Sequence, residues 1–217
     1  MSKLKQRAWL ITNFSPKQIV SGYSSILPTD MIIAVDAGLK RCLELSLVPD
    51  VLIGDFDSIE PELLSKVPES CHKLTFPGMK NETDTQLALE YCILEKIPEV
   101  IICNDLTGRI DHVLALIQNL QQASKYGIKA TLISSTQILT LLDEQNHFAY
   151  PVQSTLSLIS LSETSVFTSS HGLQYSLDNL RLYNWQSKGI SNEISAPEQD
   201  IILLSGAVLA IITPNLS

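Results

Sequence analysis

The stretch Pro49-Asp-Val-Leu-Ile-Gly-Asp-Phe-Asp-Ser-Ile59 determines how this chain is expected to fold. Val51–Ile53 is a short apolar run of the kind that forms a buried strand, and Gly54 permits a tight turn at its end. Asp55 and Asp57 follow at once, and residues two apart point the same way in an extended backbone. We therefore expect both carboxylates to point at one spot beyond the carboxyl end of a strand, where open α/β sheets bind ligands.

Two carboxylates that point at one spot repel each other unless a cation or a proton lies between them. A hard divalent ion such as Mg²⁺, shared with phosphate oxygens, is the natural occupant of such a site. The alternative is a turn in which Asp55 and Asp57 only accept hydrogen bonds from backbone amides. The spacing alone leaves both interpretations open.

Composition limits the classes of function. The chain has 217 residues, 45% of them hydrophobic, which is enough for a folded core in one large domain or two small ones. A net charge of −8 and a pI near 4.9 disfavour general binding of nucleic acids. The four cysteines have no metal-binding spacing, no signal peptide is evident, and no apolar run is long enough to cross a membrane. These features predict a cytoplasmic protein with reduced thiols.

The first half of the chain alternates between strand and helix patterns. This alternation predicts an α/β fold with a mostly parallel sheet and helices on both of its faces. A turn and short helix are expected at Asn13–Ser21, and the buried stripe of the helix after Arg109 is expected to comprise Ile110, Val113, Leu114, Ile117 and Leu120. The predicted strands are Ala8–Thr12, Met31–Val35, Val51–Ile53, Lys73–Phe76, Val100–Cys103 and Lys129–Ser134, and the predicted helices start near Gly38, Pro61, Thr83 and Arg109.

The pattern changes after about Asp143. Short strand-like segments separated by turn residues follow, which predicts a small β-sandwich or barrel-like domain. We therefore expect two domains, residues 1–143 and residues 144–217. The strand-like segments are Leu156–Leu161, Val166–Thr168, Asp178–Tyr183 and Ile201–Thr213.

Further acidic residues fall at comparable places in the alternating half. Asp36 ends a predicted strand, whereas Asp84 and Asp111 begin predicted helices that should start at the same edge of the sheet. Arg109 and His112 flank Asp111. Acids for a metal ion and a guanidinium for phosphate would thus meet at helix N-termini that favour anions.

Each of these residues also has a simpler interpretation. Asp84 suits the first turn of a helix because the helix dipole favours an acid there. Arg109 and Asp111 can form an exposed ion pair, and a lone histidine such as His112 is often a hydrogen-bonded structural residue. Because all of them fall at the same edge of one sheet, the combination favours a binding site.

In its motifs the chain resembles the thiamine pyrophosphokinase family. The resemblance extends from about Asp36 to Thr213, and the order and separation of the motifs are also similar. The motifs are Pro49-Asp50 through Gly54-Asp55-Phe56-Asp57-Ser58-Ile59, then Glu82-Thr83-Asp84, then Gly108-Arg109-Ile110-Asp111-His112, and finally Gly189-Ile190-Ser191-Asn192-Glu193.

This resemblance implies a fold, a reaction and an assembly. The family has an α/β nucleotide- and metal-binding domain followed by a β-sandwich, and it acts as a homodimer that holds thiamine between domains of different subunits. It moves the pyrophosphoryl group of ATP to the hydroxyl of thiamine and releases AMP. Mg²⁺ and ATP are therefore the expected cofactor and co-substrate.

The resemblance also implies roles for individual residues. Asp55, Asp57 and Asp84 would hold the metal ion, and together with Arg109 and Asp111 they would form the catalytic set. Either Asp84 or Asp111 would accept the proton of the thiamine hydroxyl. ATP would contact Asp36, Gly38, Asp55, Thr83, Asp84, Arg109 and His112, whereas thiamine would contact Tyr175, Ser191 and Asn192.

Tyr175 stands where the family often has tryptophan, and its ring would stack on thiamine through a cation–π contact. The simpler interpretation places Tyr175 in the core of the sandwich and makes Ser191-Asn192 an ordinary turn.

Two other functions fit part of the sequence. In a haloacid-dehalogenase-like phosphatase, Asp55 of Leu52-Ile53-Gly54-Asp55-Phe56-Asp57-Ser58 would be the nucleophile. A non-catalytic sensor of nucleotide or thiamine would keep the binding sites and lack turnover.

Overall fold

The computed structural model describes residues 5–19, 23, 25–77 and 81–215. The chain forms two compact units. The first comprises Met1–Ile19 and Ser24–Ser135, and the second comprises Val20–Tyr23 and Thr136–Ser217. The sequence placed this division after Asp143. The structure divides the chain earlier because a strand that starts at Ile138 pairs antiparallel with the last strand of the chain.

The described residues of the first unit form six parallel strands and four helices. Its strands are consecutive apolar runs that are buried along nearly their whole length, except for the fourth, as expected for the middle of a parallel sheet. The elements are β1 (Arg7–Ile11), β2 (Met31–Val35), α1 (Gly38–Glu44), β3 (Val51–Gly54), α2 (Pro61–Leu64), β4 (His72–Thr75), α3 (Asp84–Leu94), β5 (Glu99–Cys103), α4 (Ile110–Lys125) and β6 (Lys129–Ile133).

The strand order in this unit is β6-β5-β1-β2-β3-β4. From β1 the chain adds strands on one side as far as β4 and then returns to add β5 and β6 on the other side. The direction of growth therefore reverses between β1 and β5, and a ligand crevice is expected outside the carboxyl ends of the strands at this switch point. The predicted α/β class is confirmed.

Side chains join β1 to β5 where the two strands end. The hydroxyls of Thr12 and Ser15 both donate to the carbonyl oxygen of Cys103, at 2.7 and 2.8 Å. The Asn104 amide donates to Thr12 Oγ1 at 3.0 Å, and its oxygen accepts from the Leu106 backbone N–H at 2.8 Å. This network fixes the floor of the crevice.

These bonds also bear on the helix expected at Asn13–Ser21. The described part of that segment, residues 13–19, forms turns and bends without a helix. Ser15 donates its backbone N–H to the Thr12 carbonyl and accepts the Thr12 N–H on its hydroxyl, which closes a tight turn instead. The remaining predicted residues, Val20 and Ser21, lie outside the described ranges.

Helix α3 begins as its sequence predicts. Thr83 is the N-cap, and its hydroxyl accepts a hydrogen bond from the Gln86 backbone N–H at 3.2 Å. Asp84 therefore occupies the first turn, at the positive end of the helix dipole.

The buried face predicted for α4 is only partly right. Leu120 is buried, but Ile110 and Leu114 are 77% and 56% exposed. The residues buried on α4 are Leu116, Asn119, Leu120 and Ala123. The prediction failed because apolar residues surround the first three turns of this helix, so their periodicity did not identify one face.

In the second unit, the described residues form two antiparallel sheets of four strands each. Their orders are β12-β9-β14-β7 and β11-β10-β13-β8, and the described residues of this unit contain no helix. The strands are β7 (Ile138–Leu141), β8 (Gln145–Phe148), β9 (Thr155–Ser160), β10 (Thr164–His171), β11 (Arg181–Tyr183), β12 (Asn192–Glu193), β13 (Gln199–Ser205) and β14 (Val208–Thr213).

The segment expected to be one strand at Ile201–Thr213 is divided in two. Gly206 adopts a φ of 99° between β13 and β14, which lets the chain pass from one sheet to the other. A Cβ atom at this position would lie 2.4 Å from the hydroxyl oxygen of Ser165. Gly206 thus interrupts the apolar run that was expected to form one strand.

Cys42, Cys71, Cys92 and Cys103 are free thiols, and all four are buried. Burial raises the pKa of each thiol, to about 12 for Cys42 and Cys92. Among the described residues, no helix combines the length and apolarity needed to span a bilayer.

Candidate active site

A cleft of about 410 Å³ lies in the first unit, where β1, β2 and β5 end. This volume is within the usual range for sites that bind small molecules. The cleft combines apolar side chains with amides, hydroxyls and carboxylates. Its lining comprises Thr12, Asn13, Phe14, Val35, Asp36, Ala37, Ser58, Thr83, Asp84, Thr85, Asn104, Thr107, Arg109, His112, Val113, Ala115, Leu116 and Asn119.

Five of the seven residues predicted for ATP line this cleft. They come from the end of β2, the start of α3 and the start of α4, and they are Asp36, Thr83, Asp84, Arg109 and His112. Gly38 lies outside the lining. It is buried where the first turn of α1 passes the end of β1, and a Cβ atom there would lie 2.0 Å from the Ile11 carbonyl oxygen. Its visible role is to permit this close packing.

The carboxylates beyond β2 and β3 act on one another. The pKa of Asp57 is raised, first by a hydrogen bond with the Asp55 side chain and then by the negative charges of Asp55, Asp36 and Asp84. Four acids from three elements thus lie close enough to repel one another, and we call Asp36, Asp55, Asp57 and Asp84 the acidic cluster.

Asp36 has an unusual environment within the acidic cluster. Its backbone adopts a φ of 47°, and its Oδ2 accepts a hydrogen bond from the Ser58 hydroxyl at 2.5 Å. Its Oδ1 is buried and has no hydrogen-bond partner among the described residues. Gly54 makes room for this carboxylate, since a Cβ atom there would lie 2.9 Å from the Asp36 Cβ.

These features suit a hard divalent cation. All potential metal ligands in the acidic cluster are carboxylate oxygens, and these carboxylates repel one another. One of the oxygens, Asp36 Oδ1, is buried without a hydrogen-bond partner among the described residues. Within the described ranges, no three His, Cys, Asp or Glu side chains already stand at the spacing of a finished metal site. Asp55 Oδ1 also accepts the Asp57 backbone N–H at 3.2 Å, so the turn interpretation applies as well.

Arg109 and Asp111 form an exposed ion pair. Arg109 Nη2 lies 2.5 Å from Asp111 Oδ2, and Nε lies 3.1 Å from Oδ1. This two-pronged contact lowers the pKa of the Asp111 carboxyl, assisted by the His112 backbone N–H, which donates to Oδ1 at 3.0 Å. The local ion pair considered from the sequence is therefore present, and it orients the guanidinium of a residue that lines the cleft.

The three residues predicted for thiamine lie in the second unit. Tyr175 is 65% exposed, so it is not a core residue of the sandwich. The Asn192 side chain is buried and bonds both backbone groups of Tyr175: its oxygen accepts the N–H at 3.0 Å, and its amide donates to the carbonyl at 2.7 Å. Ser191 is exposed at a φ of 57°, and its N–H donates to the Ser157 hydroxyl at 3.0 Å.

Sequence reasoning missed several residues of the cleft. Thr12 and Asn104 directly follow β1 and β5, the strands on either side of the switch point, and this position was the available signal. Asn119 is an amide among the apolar residues of α4. Phe14 gave no signal, because its position depends on the turn closed by Ser15.

Comparison with known proteins identifies sequence relatives over much of the chain. The family described as thiamin pyrophosphokinase, catalytic domain, matches residues 25–132. Thiamine pyrophosphokinase of Bacillus subtilis (strain 168) is 31% identical over 175 residues, which cover 75% of this chain and 77% of that protein. Thiamin pyrophosphokinase 1 of Caenorhabditis elegans is 22% identical over 177 residues, with 77% and 71% covered.

Solved structures show the same architecture. The crystal structure of thiamine pyrophosphokinase from Bacillus subtilis matches with a TM-score of 0.84 at 24% identity, covering 97% of this chain and all of that one. Thiamin pyrophosphokinase from Candida albicans matches with a TM-score of 0.79 at 18% identity, covering 96% and 89%. At these identities the structural likeness supports the fold.

The parallel sheet, the cleft at its switch point and the acidic cluster define an α/β enzyme of the phosphotransfer class. Together with the Bacillus subtilis relative, they show that the chain belongs to the thiamin pyrophosphokinase family. The resemblance seen in the sequence is thereby confirmed, and with it the prediction of a transferase of the kinase type. The phosphatase and sensor alternatives find no support.

Proposed function

We propose that this chain transfers the pyrophosphoryl group of ATP to the hydroxyl of thiamine, giving thiamine diphosphate and AMP. Family membership supports the reaction. The observation that carries the assignment to this site is the acidic cluster beside a cleft that also contains Arg109 and two helix starts. Such a cleft offers groups for both a cation and a polyphosphate.

A Mg²⁺ ion would be held by Asp55, Asp57 and Asp84, with the unpaired Oδ1 of Asp36 as a further oxygen nearby. When bound, the ion neutralises phosphate charge and helps to position the phosphate chain. In its absence the four carboxylates would repel the polyphosphate, so the acidic cluster itself makes nucleotide binding depend on the ion.

The remaining groups of the cleft act directly on the substrates. The Arg109 guanidinium binds phosphate oxygens, and Asp111 holds its fork in position. Thr83 caps α3, and Thr83, Asp84 and Thr85 at this helix start all line the cleft, where a helix N-terminus favours an anion. Arg109 lowers the pKa of Asp111 and so makes this carboxylate a weaker base. Asp84 or Asp111 would accept the proton of the thiamine hydroxyl.

For thiamine we propose Tyr175, Ser191 and Asn192. Tyr175 presents an exposed ring that suits the flat, positively charged thiazolium. Asn192 acts through Tyr175, because its amide is bonded to both backbone groups of that residue. Ser191 contributes an exposed hydroxyl next to Asn192.

Tyr175→Ala and Asn192→Ala are expected to raise the thiamine KM by about 2- to 30-fold, the range of a cation–π contact, and to leave the ATP KM nearly unchanged. The double variant should show little further increase, since both changes remove the same ring from its position. Steady-state kinetics with each substrate varied in turn measures these constants.

Trp185→Ala provides the matched control, because Trp185 is 70% exposed in the same unit and stacks on Tyr183. It should leave both KM values unchanged, and Tyr175→Trp should keep or improve thiamine binding. A rise in the ATP KM of the Tyr175 or Asn192 variants, or a lower melting temperature with unchanged KM, would reject this assignment.

We also propose a cytoplasmic homodimer. The four buried free thiols suit a reducing compartment.

The family resemblance supports a dimer, and so do Ile202 and Leu204, which lie exposed on one face of β13 where a partner could cover them. Sedimentation equilibrium is expected to give twice the chain mass of 24.0 kDa. A fully active monomer at assay concentration would reject the dimer.

The reaction is tested by measuring AMP release from ATP in the presence of thiamine and Mg²⁺. AMP should appear together with thiamine diphosphate in equal amounts, and neither should form when thiamine is omitted. Release of inorganic phosphate through an acid-stable phosphoenzyme would instead indicate a phosphatase that uses Asp55.

A further inference from the structure

Asn119 is a polar residue on the buried face of α4. Its side chain is only 4% exposed, and its Nδ2 has no hydrogen-bond acceptor among the described residues. Its neighbours on that face are Leu116, Leu120 and Ala123, which offer no polar side chain. A buried amide without a partner destabilises the folded state, so such groups call for an explanation.

Asn104 provides an internal comparison. It is 7% exposed and lines the same cleft, but its amide donates to Thr12 and its oxygen accepts from Leu106. Asn104 is therefore a structural residue of the strand ends. Asn119 has no corresponding bonds within the described structure and also lines the cleft, which indicates that its partner is a ligand.

The surroundings of Asn119 suit a flat, uncharged ring system. Val113, Ala115 and Leu116 contribute apolar atoms to the lining, and Phe14 contributes an aromatic ring. Arg109 precedes Asn119 by ten residues, which corresponds to about 15 Å along a helix. The cleft thus extends along α4 from a guanidinium suited to phosphates to an amide among apolar groups, the order of parts in an extended nucleoside triphosphate.

We propose that the Asn119 side-chain amide recognises the adenine base of the nucleotide and selects it over guanine and hypoxanthine. This inference rests on the proposed function, which makes ATP the co-substrate. Adenine presents its N6 donor beside the N7 acceptor, and the adjacent acceptor and donor of an asparagine amide match this edge. Guanine and hypoxanthine present two acceptors there, O6 and N7, so the Asn119 oxygen would face an acceptor in either orientation of the amide.

The test compares ATP with inosine triphosphate, which differs at the exocyclic group that Asn119 is proposed to contact. Affinities for the two nucleotides are measured by calorimetry in the presence of Mg²⁺, with inorganic tripolyphosphate as a ligand that has no base. The wild-type protein should bind ATP about ten-fold more tightly than inosine triphosphate. Asn119→Ala and Asn119→Leu should abolish this preference, so that ATP and inosine triphosphate bind with about equal affinity. Neither variant should change the affinity for tripolyphosphate.

Gln118→Ala is the matched control, because Gln118 is an exposed amide one residue away on the same helix. It should keep the ten-fold preference. Asn119→Leu should keep or raise the melting temperature, since an apolar side chain of similar size replaces an unpaired amide.

Several results would overturn the inference. Equal binding of the two nucleotides by the wild-type protein would reject it without any variant, and so would an unchanged preference in a folded Asn119 variant. If AMP release with thiamine is intact in either case, only the assignment of Asn119 fails. If the wild-type protein neither binds ATP nor releases AMP, the proposed function fails and this inference fails with it.

Discussion

Asp55→Asn, Asp57→Asn and Asp84→Asn are each expected to lower turnover by at least about a hundred-fold, on the scale of removing one essential electrostatic group. Each change keeps the shape of the side chain and removes one negative charge from the acidic cluster. The loss should therefore come from weaker retention of the divalent ion and not from misfolding. Turnover with thiamine at saturating ATP and varied Mg²⁺ measures the effect.

The same variants should be no less stable than the wild-type protein without metal. The pKa of Asp57 is raised in the folded state, so the folded protein keeps this proton to higher pH than the unfolded chain does. The free energy of unfolding therefore rises as the pH falls through the raised pKa of Asp57, and it is lower at pH values above this pKa. An asparagine side chain imitates the protonated carboxyl, so Asp57→Asn should have an equal or higher melting temperature at neutral pH.

Glu62→Gln is the control for charge alone, because Glu62 is an exposed acid on α2 that pairs only with Lys66 among the described residues. Its turnover should match that of the wild-type protein. Normal Mg²⁺-dependent turnover in any one of the three aspartate variants would remove that residue from the proposed metal site. A large fall in melting temperature would assign it a structural role instead.

Arg109→Lys is expected to lower turnover by about a hundred- to a thousand-fold, near the lower end of the effects seen for arginines that stabilise a transferring phosphoryl group. Lysine keeps the positive charge but lacks the planar fork that matches two phosphate oxygens. Asp111→Asn should have a smaller effect of about ten-fold, because it keeps the shape of the residue that orients this fork and weakens the contact. Turnover and ATP KM are measured for both variants.

Arg41→Lys is the matched control for this comparison. Arg41 also forms an ion pair on its own helix, with Glu44 at 2.6 Å, and it lies outside the lining of the 410 Å³ cleft. Its turnover should stay within about two-fold of wild type, because Arg41 contributes no group to the cleft. If Arg109→Lys also stays within that range, Arg109 does not bind the transferred group.

The parallel sheet was predictable because its strands are continuous apolar runs that end at turn residues. Met31–Val35 agrees with β2 at both ends, and the Thr83 cap of α3 follows from its spacing to Gln86. These features depend on neighbours in sequence, so local patterns are sufficient to find them.

Features set by distant contacts were not predictable in the same way. The exposure of Ile110 and Leu114 depends on how α4 packs, and the hydrogen bonds between Asn192 and Tyr175 join residues that are seventeen positions apart. The role of Gly54 in making room for Asp36 likewise joins β3 to the end of β2. Asp36, Asp55 and Asp57 were found because they follow strands, and Asp84 because it begins a helix. Asn119 lies within a helix, where no local pattern marks a ligand.

The four buried cysteines have a practical consequence for spectroscopy. Their thiols are shielded, and burial raises their pKa values, so few thiolates are available to react with maleimide dyes at neutral pH. The natural chain thus supplies a nearly silent background for site-specific labelling. A single cysteine introduced at an exposed position, such as Gln118, would carry a fluorophore on the helix that contains Asn119, without removal of any native thiol.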